Sequence, residues 1–110
     1  MVVGVCRVTL MVPESHSLKE KRMVIRRIKD RVTNKFNCAI AEVGDQDAWQ
    51  SVELGFSVVS NEYGFTQSMV QKILTFIEDL AVAKVTDDEQ DYITYGDEMG
   101  GEPSHWEPEK

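Results

Sequence analysis

Three groups of side chains in this chain carry chemistry. The first is a run of cations at Lys19, Lys21, Arg22, Arg26, Arg27, Lys29, Arg31 and Lys35. Lysine and arginine repeated along one element form an electrostatic footprint for a polyanion, and RNA phosphates are the ordinary target. The bland alternative is a solvated helix face. The second group is Glu42, Asp45, Asp47 and Glu53. Such carboxylates can hold a hard cation or act as an acid–base pair. Here only Asp45 and Asp47 are closely spaced, and no His or Cys supplements them. Pairing of the two Asp residues with Lys19, Lys21 or Arg22 across a loop is the simpler role. The third is Trp49, a side-chain type enriched in interface anchors. Ser15, Ser17 and Ser60 have no accompanying base, and there is no nucleophile elbow, phosphate-cradling glycine loop or zinc-type spacing. No enzyme activity, cofactor or metal is expected, and a divalent-cation or enzymatic site at Asp45 and Asp47 is kept as an alternative.

The elements that position these groups follow from periodicity. Residues 2–12 alternate, with Val2, Gly4, Cys6, Val8, Leu10 and Val12 apolar or small, which predicts a strand with one buried face ending at Pro13. Ser17 and Glu20 form a capping box that opens a helix running to about Phe36. Its apolar face is Leu18, Ile25, Ile28, Val32 and Phe36. Lys19, Arg22, Arg26 and Lys29 flank that face on one side, and Arg27, Arg31 and Lys35 on the other. Residues 38–43 and 49–60 read as strands around a turn at 44–47, with Val52, Leu54, Phe56 and Val58 inward. Residues 65–81 read as a second helix and 82–95 hold a last strand of uncertain register. Residues 96–110, rich in Gly, Pro and Glu, read as a disordered acidic tail.

The order β-α-β-β-α-β predicts an α+β, ferredoxin-like split βαβ sandwich: a four-stranded antiparallel sheet in the order 4-1-3-2, with two helices on one face. Residues 1–95 form the single domain. The topology brings Ser17, Lys19, Lys21 and Arg22 to the hairpin at residues 45–47. It leaves Val3, Val5, Arg7, Thr9 and Met11 beside Trp49, Glu53 and Val59 on a face that no helix covers. Val3, Val5, Met11, Trp49 and Val59 are therefore candidates for a homodimer interface. Base stacking on the sheet is not expected, because its central strands lack outward aromatics other than Trp49. Cys6 and Cys38 lie on strands separated by a third, too far apart for a disulfide.

The formal net charge of -7 hides an asymmetry. Residues 14–36 carry eight bases against three acids, whereas residues 78–110 carry two bases against eleven acids. The total disfavours indiscriminate polyanion binding, but a local contact through the basic segment stays open. No apolar run reaches the ~18 residues that a membrane span needs. No basic stretch precedes the first apolar segment, so a cytoplasmic location without a signal peptide is expected.

Ser17-Leu18-Lys19-Glu20-Lys21-Arg22, Asn34-Lys35-Phe36-Asn37, the stretch Ala41 to Asp47, Glu53-Leu54-Gly55 and Val59-Ser60-Asn61 together resemble the YlxP-like family of small bacterial proteins. The resemblance covers about residues 1–80. It implies a ferredoxin-like fold and no established activity. Genes of the family often neighbour those for ribosome maturation and translation initiation, which implies by association a partner in RNA or the ribosome. Binding to RNA would use Lys19, Lys21, Arg22, Arg26 and Lys29, with Asp45, Asp47 and Trp49 beside them.

Overall fold

Alternation in the first strand is the organising feature. The even residues Val2, Gly4, Cys6, Val8, Leu10 and Val12 are all buried, and the odd ones are exposed or half-buried. In a pleated strand such a pattern seats one face on a core and leaves the other to solvent. The computed structural model describes residues 1–12, 17–45, 48 and 50–96. Its elements are β1 (Val2–Met11), α1 (Leu18–Lys35), β2 (Ala39–Gly44), β3 (Ser51–Ser60), α2 (Tyr63–Leu80) and β4 (Lys84–Thr94). The sheet is antiparallel throughout, with the order β2-β3-β1-β4. This is the expected ferredoxin-like arrangement. Beyond Gly96, the acidic tail expected from the composition lies outside the described residues.

One core joins the even face of β1 to Val52, Leu54, Phe56 and Val58 of β3, to Ile25, Ile28 and Val32 of α1 and to Val70, Ile73, Leu74 and Ile77 of α2. All four inward positions expected on β3 are therefore buried. α1 packs against β2 and α2, while α2 lies over β1, β3 and β4. Both helices thus occupy the same side of the sheet.

Several boundaries differ from the sequence expectation: β2 spans Ala39–Gly44 rather than 38–43, and β3 starts at Ser51 rather than 49. α2 starts at Tyr63 rather than residue 65. Its first turn is held by Thr66, a fully buried residue whose hydroxyl reaches the Glu62 carbonyl at 3.0 Å and the Ser60 hydroxyl at 2.5 Å. α2 ends where Ala81 adopts a left-handed conformation with φ of 59°. β4 is a full 11-residue strand despite its acids, because β1 supplies a ladder from Val2↔Thr94 to Met11↔Lys84. The ladder breaks only at a register shift between Thr9 and Leu10.

Gly4 marks the closest approach of sheet and helix. A Cβ there would meet Thr66 Cγ2 at 2.8 Å, Tyr92 Cε2 at 2.9 Å and Val70 Cγ2 at 3.0 Å. Gly64, in contrast, has only Glu62 Oε2 at 3.7 Å. Overpacking in a filled core costs about 1–3 kcal/mol. Alanine in place of glycine favours a helix by up to about 1 kcal/mol. Denaturant unfolding should therefore show Gly4→Val losing stability on that scale and Gly64→Ala losing none. Equal effects at the two glycines would contradict this packing.

Candidate functional site

Helical geometry sorts the eight bases of α1 into two unequal classes. Ser17 caps the helix by accepting a hydrogen bond from the Glu20 amide at 3.2 Å, which fixes where the first turn begins. From that start, Lys21 falls four residues before Ile25 and on the same stripe as Ile25, Ile28 and Val32. It is only 1% exposed. An ammonium withdrawn from water must find acceptors. Lys21 Nζ donates to the carbonyls of Asp45, Ala48 and Ser51 at 2.5, 2.7 and 3.1 Å. The Glu42 oxygen Oε2 lies 3.5 Å away, buried and without a hydrogen-bond partner among the described residues. Lys21 is thereby removed from the phosphate-contact set that the sequence placed it in. It staples α1 to the β2–β3 hairpin.

The remaining seven bases point away from the core. Lys19, Arg22, Arg26, Arg27, Arg31 and Lys35 are exposed and Lys29 is half-buried. Among the described residues, none of the seven forms an ion pair with an acid of this chain. Arg26, Arg27 and Arg31 gather with Met23 and Asp30 around a shallow surface depression. Met23 is itself 63% exposed. Along α1 the described bases outnumber the acids, which are Glu20 and Asp30.

The described acids of the hairpin make contacts within the chain. Asp45 sits in the left-handed region with φ of 59°, where Asp is tolerated, and its Oδ2 accepts a hydrogen bond from Ser51 Oγ at 2.6 Å. The lysine reaches its backbone oxygen, not its carboxylate. The expected pairing of Asp45 with Lys19, Lys21 or Arg22 is thus replaced by the Lys21–Glu42 pair. Asp47 and Trp49 lie outside the described residues. No group of three or more His, Cys, Asp or Glu side chains converges as a metal site among the described residues.

The sheet face without helices combines apolar and ionic character. Val5, Met11, Val43, Val59, Ile93 and Tyr95 are exposed on it, and Val3 is half-buried. Gly55 leaves room for Val43, which would lie 3.1 Å from a Cβ at that position. At the centre Arg7 stands directly opposite Glu89 on β4 and diagonal to Glu53 on β3. Its guanidinium donates to Glu89 Oε1 at 2.5 Å and also to Glu53 Oε2. Its hydrogen bonds to Glu89 and then to Glu53 push the Arg7 pKa further up, so its charge is permanent. A shallow concavity of about 680 Å³ opens beside this cluster over Ala39, Ala41, Gly55 and Ser57. The Glu89 contact escaped sequence reading because it needs the β4 register.

The two cysteines are free, as expected. Burial pushes the Cys6 thiol up to about 11, with the nearby Asp88 charge adding to the effect, and burial also raises Cys38. Neither is a thiolate at neutral pH, so neither offers a nucleophile there.

Comparison with known proteins decides the lineage. The profile of the family described as "Protein of unknown function (DUF503)" matches residues 3–90. The chain belongs to the DUF503 family. A curated relative, "Uncharacterized protein YlxP" of Bacillus subtilis (strain 168), is 40% identical over 77 residues, covering 70% of this chain and 84% of that protein. Among solved structures, a de novo designed protein with a ferredoxin fold superposes with a TM-score of 0.50 at 19% identity, covering 96% of this chain and 93% of that one. This supports the fold alone. The DUF503 description assigns no activity, so the geometry must carry the functional reading. No helix among the described residues is long and apolar enough to cross a membrane.

The Lys21 staple has a measurable consequence. Removing one partner of a buried, hydrogen-bonded charge pair costs about 3–5 kcal/mol, because the other groups are left buried and unpaired. Lys21→Met should lose stability on that scale in urea unfolding. Lys19→Met, on the exposed flank, should stay within about 0.5 kcal/mol of wild type. Similar small losses at both positions would refute the staple.

Proposed function

We propose that this DUF503 chain is a non-catalytic, cytoplasmic binding module that holds RNA by its phosphates on the outer face of α1, in ribosome-associated work. The observation that carries the reading is the set of seven outward bases that, among the described residues, form no ion pair with an acid. A surface arginine that finds no internal carboxylate is free to exchange counterions for phosphates. Lys19, Arg22, Arg26 and Lys29 form one rail, and Arg27, Arg31 and Lys35 the other. The buried Lys21 fixes the rotation of the helix that presents both.

Binding to single-stranded RNA should weaken with salt, with a log–log slope of about -0.7 for each phosphate neutralised. Replacing Lys19, Arg22 and Arg26 together by alanine should reduce the magnitude of that slope by about two and weaken binding at low salt. Gel shifts across a salt series read both quantities. Identical slopes and affinities for the two proteins, or no binding by either, would remove the phosphate assignment.

A second reading concerns the open sheet face, and six exposed apolar side chains favour it. We infer a homodimer through that face, with Val3, Val5, Met11 and Val59 inside the contact. The ionic centre does not oppose this, because Arg7 is already paired with Glu53 and Glu89 within one chain and needs no partner from the other. Light scattering should give a dimer for the wild type and a monomer for Val59→Glu, whose introduced carboxylate would be buried without a counter-charge. A monomeric wild type at tens of micromolar (on the order of typical homodimer working concentrations,) would end the dimer reading.

A further inference from the structure

The sheet lacks an aromatic platform, but the helical layer has one. Where α1 ends, Phe36 packs edge-on against Phe76 of α2, with ring centroids 5.4 Å apart and planes at 77°. Lys35 Nζ sits 5.3 Å from the Phe76 centroid and 5.9 Å from that of Phe36. These rings border an open groove of about 510 Å³ between the two helices. Lys72, Gln71 and Asp79 line it from α2. Among the described residues, those three make no side-chain hydrogen bond or ion pair, so their polar atoms are available to a ligand. On α1 the row Arg27, Arg31 and Lys35 repeats every four residues and runs into the groove from one side.

We propose that this groove binds one unstacked nucleotide of single-stranded RNA, its base against the Phe76 ring and its flanking phosphates on Lys35 and Lys72. The proposal rests on the phosphate reading of α1 and assigns that site its base-contacting end. Three features select a nucleotide over a bare anion. Lys35 Nζ over the Phe76 ring marks a ring face that the groove reaches, and a base offers such a face its own π-surface. Entry of the base displaces Lys35 from the ring toward the phosphate, where its charge is better matched. Gln71 and Asp79 then offer an amide and a carboxylate to the edge of the base, which carries both donors and acceptors. The size suits a single nucleotide, since the groove falls within the 300–1,000 Å³ range of small-molecule sites.

The test titrates the full chain with a single-stranded RNA oligonucleotide and with the same oligonucleotide made abasic, which keeps the phosphates and removes the stacking surfaces. The intact RNA should bind roughly tenfold more tightly, and a 2-aminopurine placed within it should lose fluorescence on binding. In Phe76→Leu, confirmed as folded by circular dichroism, the preference for intact RNA should vanish while the salt slope stays unchanged. Equal affinity for intact and abasic RNA, with the slope still reduced in the Lys19, Arg22 and Arg26 triple variant, would overturn the groove and leave the phosphate reading standing. A folded Phe76→Leu protein that keeps the full preference would also overturn it. Binding of neither oligonucleotide would overturn both. The abasic comparison needs no variant, so the result does not depend on Phe76→Leu folding.

Discussion

A single buried ammonium governs how this molecule presents its charge. Lys21 occupies a core position on α1 and is held by three carbonyls of the β2–β3 hairpin, with the Glu42 carboxylate beside it. A lysine in that place tolerates little rotation of the helix, since turning α1 would strip its Nζ of acceptors and leave a charge in the interior. The same donor draws together the carbonyls of Asp45, Ala48 and Ser51. Every other base of α1 then takes its direction from the helical repeat and faces outward. The chemistry of the exposed surface thus depends on an interaction that is itself hidden.

The two sides of the sheet resolve charge in different ways. On the open face Arg7 is neutralised in place by Glu53 and Glu89, and apolar side chains surround the cluster. That face is suited to being covered. On α1 seven cations have no such partner among the described residues, so the helix layer is suited to a polyanion. The net charge of -7 is a sum over the whole chain and describes neither of these surfaces. Membership of DUF503 agrees with the fold and leaves the activity to be argued from this division.

Much of the architecture was legible before the structure, because it rests on local patterns. Strict alternation in residues 2–12, the Ser17–Glu20 cap and the inward set Val52, Leu54, Phe56 and Val58 each had one dominant reading. What was hidden depended on tertiary context. β4 is an edge strand with acids on both faces, so its residues carry no hydrophobic period, and its register comes from β1 alone. The Arg7–Glu89 pair was invisible for the same reason. Tyr63 and Gly64 read as loop because the buried hydroxyl of Thr66 closes the first turn of α2 only once β3 is in place. Lys21 is the instructive miss. Its spacing to Ile25, Ile28 and Val32 marks a core position, whereas its charge alone points to solvent. The Phe36–Phe76 pair likewise required the helices to meet.

The central claim is that the outward face of α1 and its junction with α2 form the working surface. An amide-resolved NMR titration of the labelled full chain with a short single-stranded RNA tests it most directly. The account predicts that the largest shift changes lie on α1 between Arg22 and Lys35 and on the α1-facing flank of α2, with the odd residues of β1 and β3 unmoved. Perturbations concentrated on that open sheet face, or none anywhere, would contradict it.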